Sequence, residues 1–217
     1  MKLKTTKEAE EILLEIYALF PNMKTELNYK TQFQFLLAVI FSAQTTDKQV
    51  NVVTEKFFQI VKEPSDLSWI ELEEVMKHLW SLNFYKNKSR AAKWAAEILI
   101  TEFTSVIPND LELIQMIPWV GIKTAKVVLW VLYDAPYIWV DTHVHRVCNR
   151  IWICKTISPD KTDEYLEKHI SIEVKKLAHH SLVLFWRYTC TARNPKCEIC
   201  KINPKCNYYQ TKIQYNR

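Results

Sequence analysis

Hydrophobic residues recur along most of the chain at the three- and four-residue spacing of an α-helix, and the alternation of a half-buried strand is nearly absent. Glu8 to Phe20 has an amphipathic pattern that is expected to end at Pro21-Asn22. Thr31 to Ser42 is apolar on most sides, which predicts a central buried helix. The pattern therefore predicts an all-α protein.

Further helical patterns follow the central helix, and polar residues that can cap a helix precede several of them. Thr46 or Asp47 is expected to cap one helix and Asn109-Asp110 a later one, while Pro64 is expected to break the chain. The predicted helices are Lys48 to Lys62, Leu72 to Trp80, Lys86 to Phe103, His143 to Ile151, Asp160 to Glu167 and Glu173 to Tyr188. A cysteine-rich tail with several prolines comes last.

Composition narrows the class of protein only moderately. A chain of 217 residues can form one large domain or two small lobes with a sizeable core. The formal net charge of +5 is compatible with a polyanionic partner. No window approaches a membrane span, and the N-terminus alternates charged and apolar residues rather than forming a signal peptide. The cytoplasm is therefore the expected location.

Four of the six cysteines fall within 17 residues, with the spacing C-x6-C-x2-C-x5-C. They are Cys190, Cys197, Cys200 and Cys206. In a cytosolic protein such a cluster favours a metal over disulfides. Zinc usually takes pairs with shorter spacings, whereas one compact loop with four thiolates suits a [4Fe–4S] cluster, in which each iron has one cysteine. Zinc and unliganded thiols remain as alternatives. Cys148 and Cys154 have apolar neighbours, which predicts core positions.

A tight turn at Pro118 to Gly121 separates a predicted helix from a second one that is entered through Lys123. Such a hairpin can hold a phosphate on backbone amides, here those of Val120 and Gly121, beside a helix N-terminus. An ordinary turn between helices is the alternative. On the cysteine loop, Arg193 and Lys196 are either solvated charges or further phosphate contacts.

Together these segments resemble the endonuclease III family of helix–hairpin–helix DNA glycosylases. The matching runs are Phe41 to Asp47, Pro118 to Ala125, Val140 to Val147, His179-His180, Arg187 to Cys190 and the four-cysteine spacing. They occur in order from about Thr25 to Cys206. Because the runs are separate and all present, their combination is highly specific.

The resemblance implies a two-lobed all-α fold with a DNA-binding cleft and a [4Fe–4S] cluster. The expected lobes are residues 25–135, a six-helix domain with the hairpin, and residues 1–24 plus 136–217, with the cluster loop. The implied activity is excision of oxidised pyrimidines from double-stranded DNA, followed by nicking of the abasic site. The damaged nucleotide would be flipped out of the duplex. A monomer is expected, and nucleoid association if the source is bacterial.

Residue roles also follow from the resemblance. Lys123 is expected to be the nucleophile and Asp141 the essential carboxylate, although Asp141 could also be a helix N-cap. Gln44 and Phe84 are expected to fill the gap that a flipped base leaves, but Gln44 could instead cap a helix and Phe84 could lie in the core. His143 and Arg146, one helical turn apart, are expected to face the DNA strand.

The chemistry accounts for the expected pair of catalytic groups. Breaking an N-glycosidic bond builds positive charge on the sugar, which a nearby carboxylate stabilises. An amine that attacks C1′ forms a Schiff base, which acidifies the 2′ proton and permits β-elimination of the 3′ phosphate.

Glycine is almost missing from the chain. It occurs once, where average usage of ~7% predicts about 15, while tryptophan occurs 8 times. Trp119, Trp152 and Trp186 stand where the family pattern has glycine, and Trp139 is a fourth suspect. Because glycine permits φ > 0 and close approach of the backbone, we expect special backbone at these positions. Our hypothesis is a stop codon that has been reassigned to glycine and translated here as tryptophan.

Other functions remain open at the level of sequence. A mismatch-specific adenine or thymine glycosylase could use the same scaffold, but Lys123 favours a lyase. The sequence ends 11 residues after Cys206, where an adenine glycosylase is expected to continue into another domain. A third possibility is a non-catalytic, cluster-bearing protein that binds DNA or transfers electrons.

Overall fold

The computed structural model describes residues 2–20 and 25–215, with side chains through residue 213. These residues form α-helices and short 3₁₀ helices without a β-strand, which confirms the all-α prediction. The expected helix end at Pro21-Asn22 lies outside the described residues. Within the described ranges, no helix has both the length and the apolar character needed to cross a membrane.

The helices follow the predicted pattern closely. In chain order they are α1 Thr6–Ala18, α2 Gln32–Ser42, α3 Asp47–Ile60, α4 Pro64–Trp69, α5 Leu72–Leu79, α6 Tyr85–Phe103, α7 Ile122–Tyr133, α8 Thr142–Ile151, α9 Pro159–His169, α10 Ile172–Tyr188 and α11 Asn207–Tyr215. Short 3₁₀ helices occupy Leu113–Met116, Cys197–Ile199 and Asn203–Lys205. Apart from the helix expected before the hairpin, every predicted helix is present, and where the sequence predicted both ends of a helix they differ by at most two residues.

The chain divides into two compact units, Thr25–Ala135 and Met1–Lys24 with Pro136–Arg217. In the first unit, α2 is buried on nearly all sides, as its composition predicts, and packs against α3, α6 and α7. Helices α4 and α5 both pack on α6. Gln34 is a polar exception inside α2: its amide donates to the carbonyl oxygens of Phe58 and Val61, at 2.8 Å each, and so ties α2 to the end of α3.

The second unit has its own hydrophobic core. Helix α1 packs along α10, and α8 packs against both α9 and α10. Ile12 and Leu13 of α1, Val147 of α8 and Phe185 of α10 are all fully buried in it. Cys148 and Cys154 are also fully buried there, which confirms their prediction as core residues. Cys200 and Cys206 pack against the edge of the same core.

Two local predictions from the sequence were wrong, and a helix in the tail was missed. Pro64 does not break the chain but occupies the first turn of α4, where a missing N–H is no loss. The segment before the hairpin is only the 3₁₀ helix Leu113–Met116, since Pro118 follows too soon for an α-helix to continue. Helix α11 in the tail was not predicted at all.

The suspected glycine positions differ in their backbone. Trp119 has φ 69° and Trp152 has φ 70°, which confirms left-handed backbone at both. Trp186 lies inside α10 and Trp139 also lacks a positive φ, so that expectation was wrong for these two. The single glycine, Gly121, has φ −79° and does not serve a left-handed position.

Candidate functional site

Lys123 lies at the start of α7, directly after the hairpin. The hairpin closes through a bond from the Val120 amide to the Ile117 carbonyl at 3.1 Å. Gly121 is the N-cap of α7 and cannot offer a side-chain cap to the amides of the first turn. Lys123, in that first turn, is exposed. Its amine is therefore accessible to a nucleic acid bound at the hairpin.

The hairpin differs from expectation at one of its two amides. Val120 was expected to offer its N–H to a phosphate, but that N–H is used inside the turn and the side chain is buried. Gly121 is exposed, and a Cβ built on it would meet no atom within 4 Å. An anion can therefore approach the backbone at Gly121 and at the first turn of α7.

Gln44 and Phe84 are both exposed and both have left-handed backbone, with φ 54° and 58°. Phe84 is 61% exposed, so it is not a core residue. Gln44 is not the helix cap either, because Thr46 caps α3 through a bond from the Gln49 amide at 3.3 Å. The Asn83 side chain donates to the Gln44 carbonyl at 2.8 Å and joins the two turns.

Asp141, in the other unit, is the N-cap of α8. Its Oδ1 accepts hydrogen bonds from the amides of His143 at 2.9 Å and Val144 at 2.8 Å. The carboxylate is half-buried and contributes to the electrostatic environment of Arg146. The capping role considered at the level of sequence is therefore real, and it fixes the carboxylate at the start of a helix.

His143 and Arg146 belong to a packed cluster on α8. The His143 ring stacks on Trp186 with ring centroids 3.8 Å apart. Arg146 lies 3.0 Å from His143 Nδ1 and donates to the Cys190 carbonyl at 3.1 Å. Burial lowers the pKa of Arg146 below its usual value. The Arg146 side chain thus holds the start of the cysteine loop, a role that its spacing in the sequence did not reveal.

The four cysteines of the motif line one cavity at the end of α8 and α10. Across residues 2–20 and 25–213, no three His, Cys, Asp or Glu side chains converge as one metal ion would require. A [4Fe–4S] cluster has no such requirement, because it distributes the thiolates over four irons. The donor set and the cavity therefore fit that cluster better than zinc. Burial raises the pKa of the Cys200 and Cys206 thiols, and bonding to iron would remove their protons.

Arg150 of α8 holds the backbone of the cysteine loop through hydrogen bonds. Its guanidinium donates to the carbonyls of Thr191 at 2.7 Å and Ala192 at 2.9 Å, and lies 3.5 Å from Cys190 Sγ. Arg193 and Lys196 are exposed on the loop, where both can reach an external phosphate.

Two supporting residues were missed at the level of sequence. Arg150 has no local signal, because its acceptors lie more than forty residues away in the chain. Lys88 is buried in α6, where it continues the buried stripe formed by Ala92, Ala95 and Leu99. Helical spacing alone therefore places Lys88 on the inner face, and this signal was available.

Comparison with known proteins agrees with these features. Residues 37–171 match the model of the HhH-GPD superfamily base excision DNA repair proteins, and residues 190–206 match the iron–sulfur binding domain of endonuclease III. Endonuclease III of Rickettsia conorii is 39% identical over 203 residues, which are 92% of this chain and 97% of the relative. The Escherichia coli K12 enzyme is 36% identical, over 91% of this chain and 94% of the relative.

Solved structures give the same result. A trapped endonuclease III–DNA covalent intermediate superposes with a TM-score of 0.89 at 33% identity, covering 97% of this chain and all of that one. A thermostable thymine-DNA glycosylase shares the fold with a TM-score of 0.84 at 20% identity. The chain therefore belongs to the endonuclease III family of base excision repair proteins, the bifunctional DNA glycosylases and abasic-site lyases that carry a [4Fe–4S] cluster.

Proposed function

We propose that this chain, as a monomer, removes oxidised pyrimidines from double-stranded DNA and nicks 3′ to the resulting abasic site. Lys123 is the nucleophile and Asp141 the carboxylate that assists cleavage of the glycosidic bond. The observation that carries the proposal is an exposed lysine in the first turn of α7, directly after an open hairpin. We place the protein in the cytoplasm, associated with the nucleoid if the source is bacterial.

The reaction requires an amine that is accessible and close to a bound backbone. Lys123 Nζ attacks C1′ as the bond to the damaged base breaks, and a Schiff base forms. Loss of the 2′ proton then expels the 3′ phosphate by β-elimination, which leaves a nicked strand. The amides around Gly121 hold a neighbouring phosphate and so fix the register of the DNA without reading its sequence.

Asp141 supplies negative charge where positive charge develops on the sugar. Both of its capping bonds go to Oδ1, so the carboxylate is oriented by the helix that it starts. His143, Arg146, Arg193 and Lys196 add DNA contacts on this unit, and Gln44 and Phe84 fill the gap left by the flipped nucleotide.

The cluster residues are Cys190, Cys197, Cys200 and Cys206. A bound [4Fe–4S] group would supply structural support, and it would have redox capacity as well. In this proposal, the cysteine loop itself contacts the DNA. It presents Arg193 and Lys196 to DNA, while Arg150 and Arg146 hold its first carbonyls in place.

An adenine or thymine mismatch glycosylase is the alternative. The thymine-DNA glycosylase structure supports a common fold only, since its identity to this chain is 20%. An exposed lysine at the start of α7 favours the lyase, because a monofunctional enzyme needs no amine there.

Borohydride trapping on duplex DNA with a single abasic site tests the proposal. Borohydride reduces a Schiff base to a stable amine, so the wild-type protein should form a covalent adduct and Lys123→Ala should form none. Lys56→Ala, which removes an exposed lysine from α3 of the same unit, is the matched control and should keep the adduct.

A panel of duplexes with single defined lesions separates the two glycosylase functions. We expect excision of oxidised pyrimidines and little action on adenine or thymine mismatches. Absence of an adduct with folded, cluster-loaded wild-type protein would refute the lyase, and preference for a mismatch would favour the alternative.

A further inference from the structure

Gln44 and Phe84, the proposed gap-filling pair, lie on two separate turns. The first is the Ala43–Thr46 turn between α2 and α3, and the second is the Trp80–Phe84 turn between α5 and α6. We call these two segments the wedge turns. Each carries its exposed residue in left-handed backbone, a conformation that non-glycine residues keep only when their surroundings fix it.

Lys88, one turn into α6, contacts both wedge turns. Its side chain is buried, and Nζ donates to the Phe41 carbonyl at 2.6 Å and to Thr45 Oγ1 at 2.7 Å. These two acceptors stand on either side of Gln44 in the chain. The backbone amide of Lys88 donates to the Phe84 carbonyl at 3.1 Å. Lys88 therefore bonds to the first turn through its side chain, while its backbone makes the ordinary helical hydrogen bond to the last residue of the second turn.

A cation is an unusual choice for this position. Its hydrogen-bond acceptors here are a carbonyl and a hydroxyl, neither of which carries a charge. Burial lowers the pKa of Lys88 to about 8, as expected for an ammonium group that has lost water. Packing alone would be served by an apolar side chain of similar length, such as methionine. The two hydrogen bonds are thus what the lysine adds.

We propose that Lys88 is a positioning residue that holds the two wedge turns as one preformed unit for insertion into DNA. This inference rests on the proposed function, in which Gln44 and Phe84 fill the gap. Without the Nζ bonds, Phe41 and Thr45 lose the donor that they share, and the first turn keeps the Asn83 bond to the Gln44 carbonyl and its own bond from the Thr45 amide to the Ser42 carbonyl. The left-handed conformation of Gln44 is then held less firmly, and its side chain is less well placed for insertion. The turn would then have to become ordered when DNA binds, and the entropic cost of this ordering would weaken insertion.

Lys93 offers a matched control on the same helix. Its Nζ also donates to two carbonyls, those of Leu67 at 2.6 Å and Ile70 at 2.8 Å, but these belong to the end of α4. Lys88→Met and Lys93→Met each remove one amine that donates twice. Both should lower stability, and only the first should alter the wedge turns.

Two substrates separate insertion from chemistry. Excision from a duplex that carries a damaged pyrimidine requires insertion of the wedge turns. A fluorescent adenine analogue placed beside the lesion reports this insertion, because its fluorescence increases when it unstacks. Cleavage of a single-stranded abasic site requires Lys123 but no insertion. We expect Lys88→Met to lower both the rate of duplex excision and the size of the fluorescence increase about tenfold. Its rate of single-strand cleavage should stay within about twofold of wild type. Lys93→Met should change neither activity.

A double-mutant cycle tests whether Lys88 acts through Gln44. If it does, Lys88→Met should cost little further activity in a Gln44→Ala background. Should Lys88→Met fail to fold, Thr45→Val removes one acceptor alone and should give a smaller loss of the same kind.

Equal effects of the Lys88 and Lys93 variants, or additive losses with Gln44→Ala, would overturn the inference. So would a parallel loss of single-strand cleavage in Lys88→Met. An inactive wild-type protein would instead refute the proposed function, so the two failures are distinguishable.

Discussion

Trp119, like Trp152, carries a large side chain at a backbone conformation that suits glycine. A non-glycine residue in the left-handed region costs on the order of 1–2 kcal/mol, and Trp119 is 57% exposed, so its packing offsets little of that cost. We expect Trp119→Gly to raise the free energy of unfolding by about 1 kcal/mol, measured by denaturant titration.

Trp94 of α6 is the control for this prediction. It is 50% exposed but lies inside a helix, so Trp94→Gly should lower the free energy of unfolding by roughly 1 kcal/mol. A loss of stability in Trp119→Gly would mean that the indole is part of the native hairpin.

Each of the four suspected tryptophans has a local defect. Trp119 and Trp152 have left-handed backbone. Trp139 and Trp186 each bury an indole N–H that has no acceptor in the described part of the chain, which is costly for a polar group. The codon hypothesis accounts for all four positions together. We therefore expect the native protein, measured by mass spectrometry, to be lighter by the difference between tryptophan and glycine at each reassigned position. Ordinary tryptophan codons there would refute the hypothesis.

At the scale of single elements, Asp141 combines two tasks that mutation can separate. Asp141→Ala removes both capping bonds of α8 and should lower the free energy of unfolding by about 1 kcal/mol. Asp141→Asn keeps an oxygen acceptor for the cap but loses the charge. It should remain close to wild type in thermal unfolding, yet lose about a hundredfold or more in excision rate.

The measurement compares the thermal unfolding and the excision rate of these two variants with those of wild type. If Asp141→Asn were as active as wild type, the carboxylate would be a cap alone. If Asp141→Asn were instead inactive and as unstable as Asp141→Ala, its loss of activity could not be assigned to the missing charge.

The helices were predictable because their hydrophobic faces repeat with the helical period, and caps such as Thr46 mark their starts. The shorter elements were not. Helix α4 begins at a proline, and the 3₁₀ helix Leu113–Met116 is too short to show a period. At the site, the resemblance to the endonuclease III family indicated Lys123 and Asp141, and the spacing of the four cysteines indicated the cluster. Helical spacing could have shown that Lys88 is buried, but the acceptors of Lys88 and Arg150 lie forty or more residues away in the chain, and no local pattern encodes such contacts.

At the scale of the whole molecule, the cysteine loop belongs to one of two units that each have a core. Cys190, Cys200 and Cys206 pack against the core of the Met1–Lys24 and Pro136–Arg217 unit. Arg150 and Arg146 connect that core to the loop backbone. The structural contribution of the cluster is therefore expected to act locally, on the loop and on α8.

Loss of the cluster should consequently loosen one unit and spare the other. Cys200→Ser should lower the iron content and the visible absorption of the purified protein, since a cubane needs a ligand for each iron. Amide hydrogen exchange should then rise across residues 190–206 and around Arg150, where the carbonyl acceptors lose their fixed positions. Exchange in α2, within the Thr25–Ala135 core, should not change. Cys154→Ala, a buried cysteine outside the motif, should keep the iron. Faster exchange throughout both units would instead mean that the cluster supports the whole molecule.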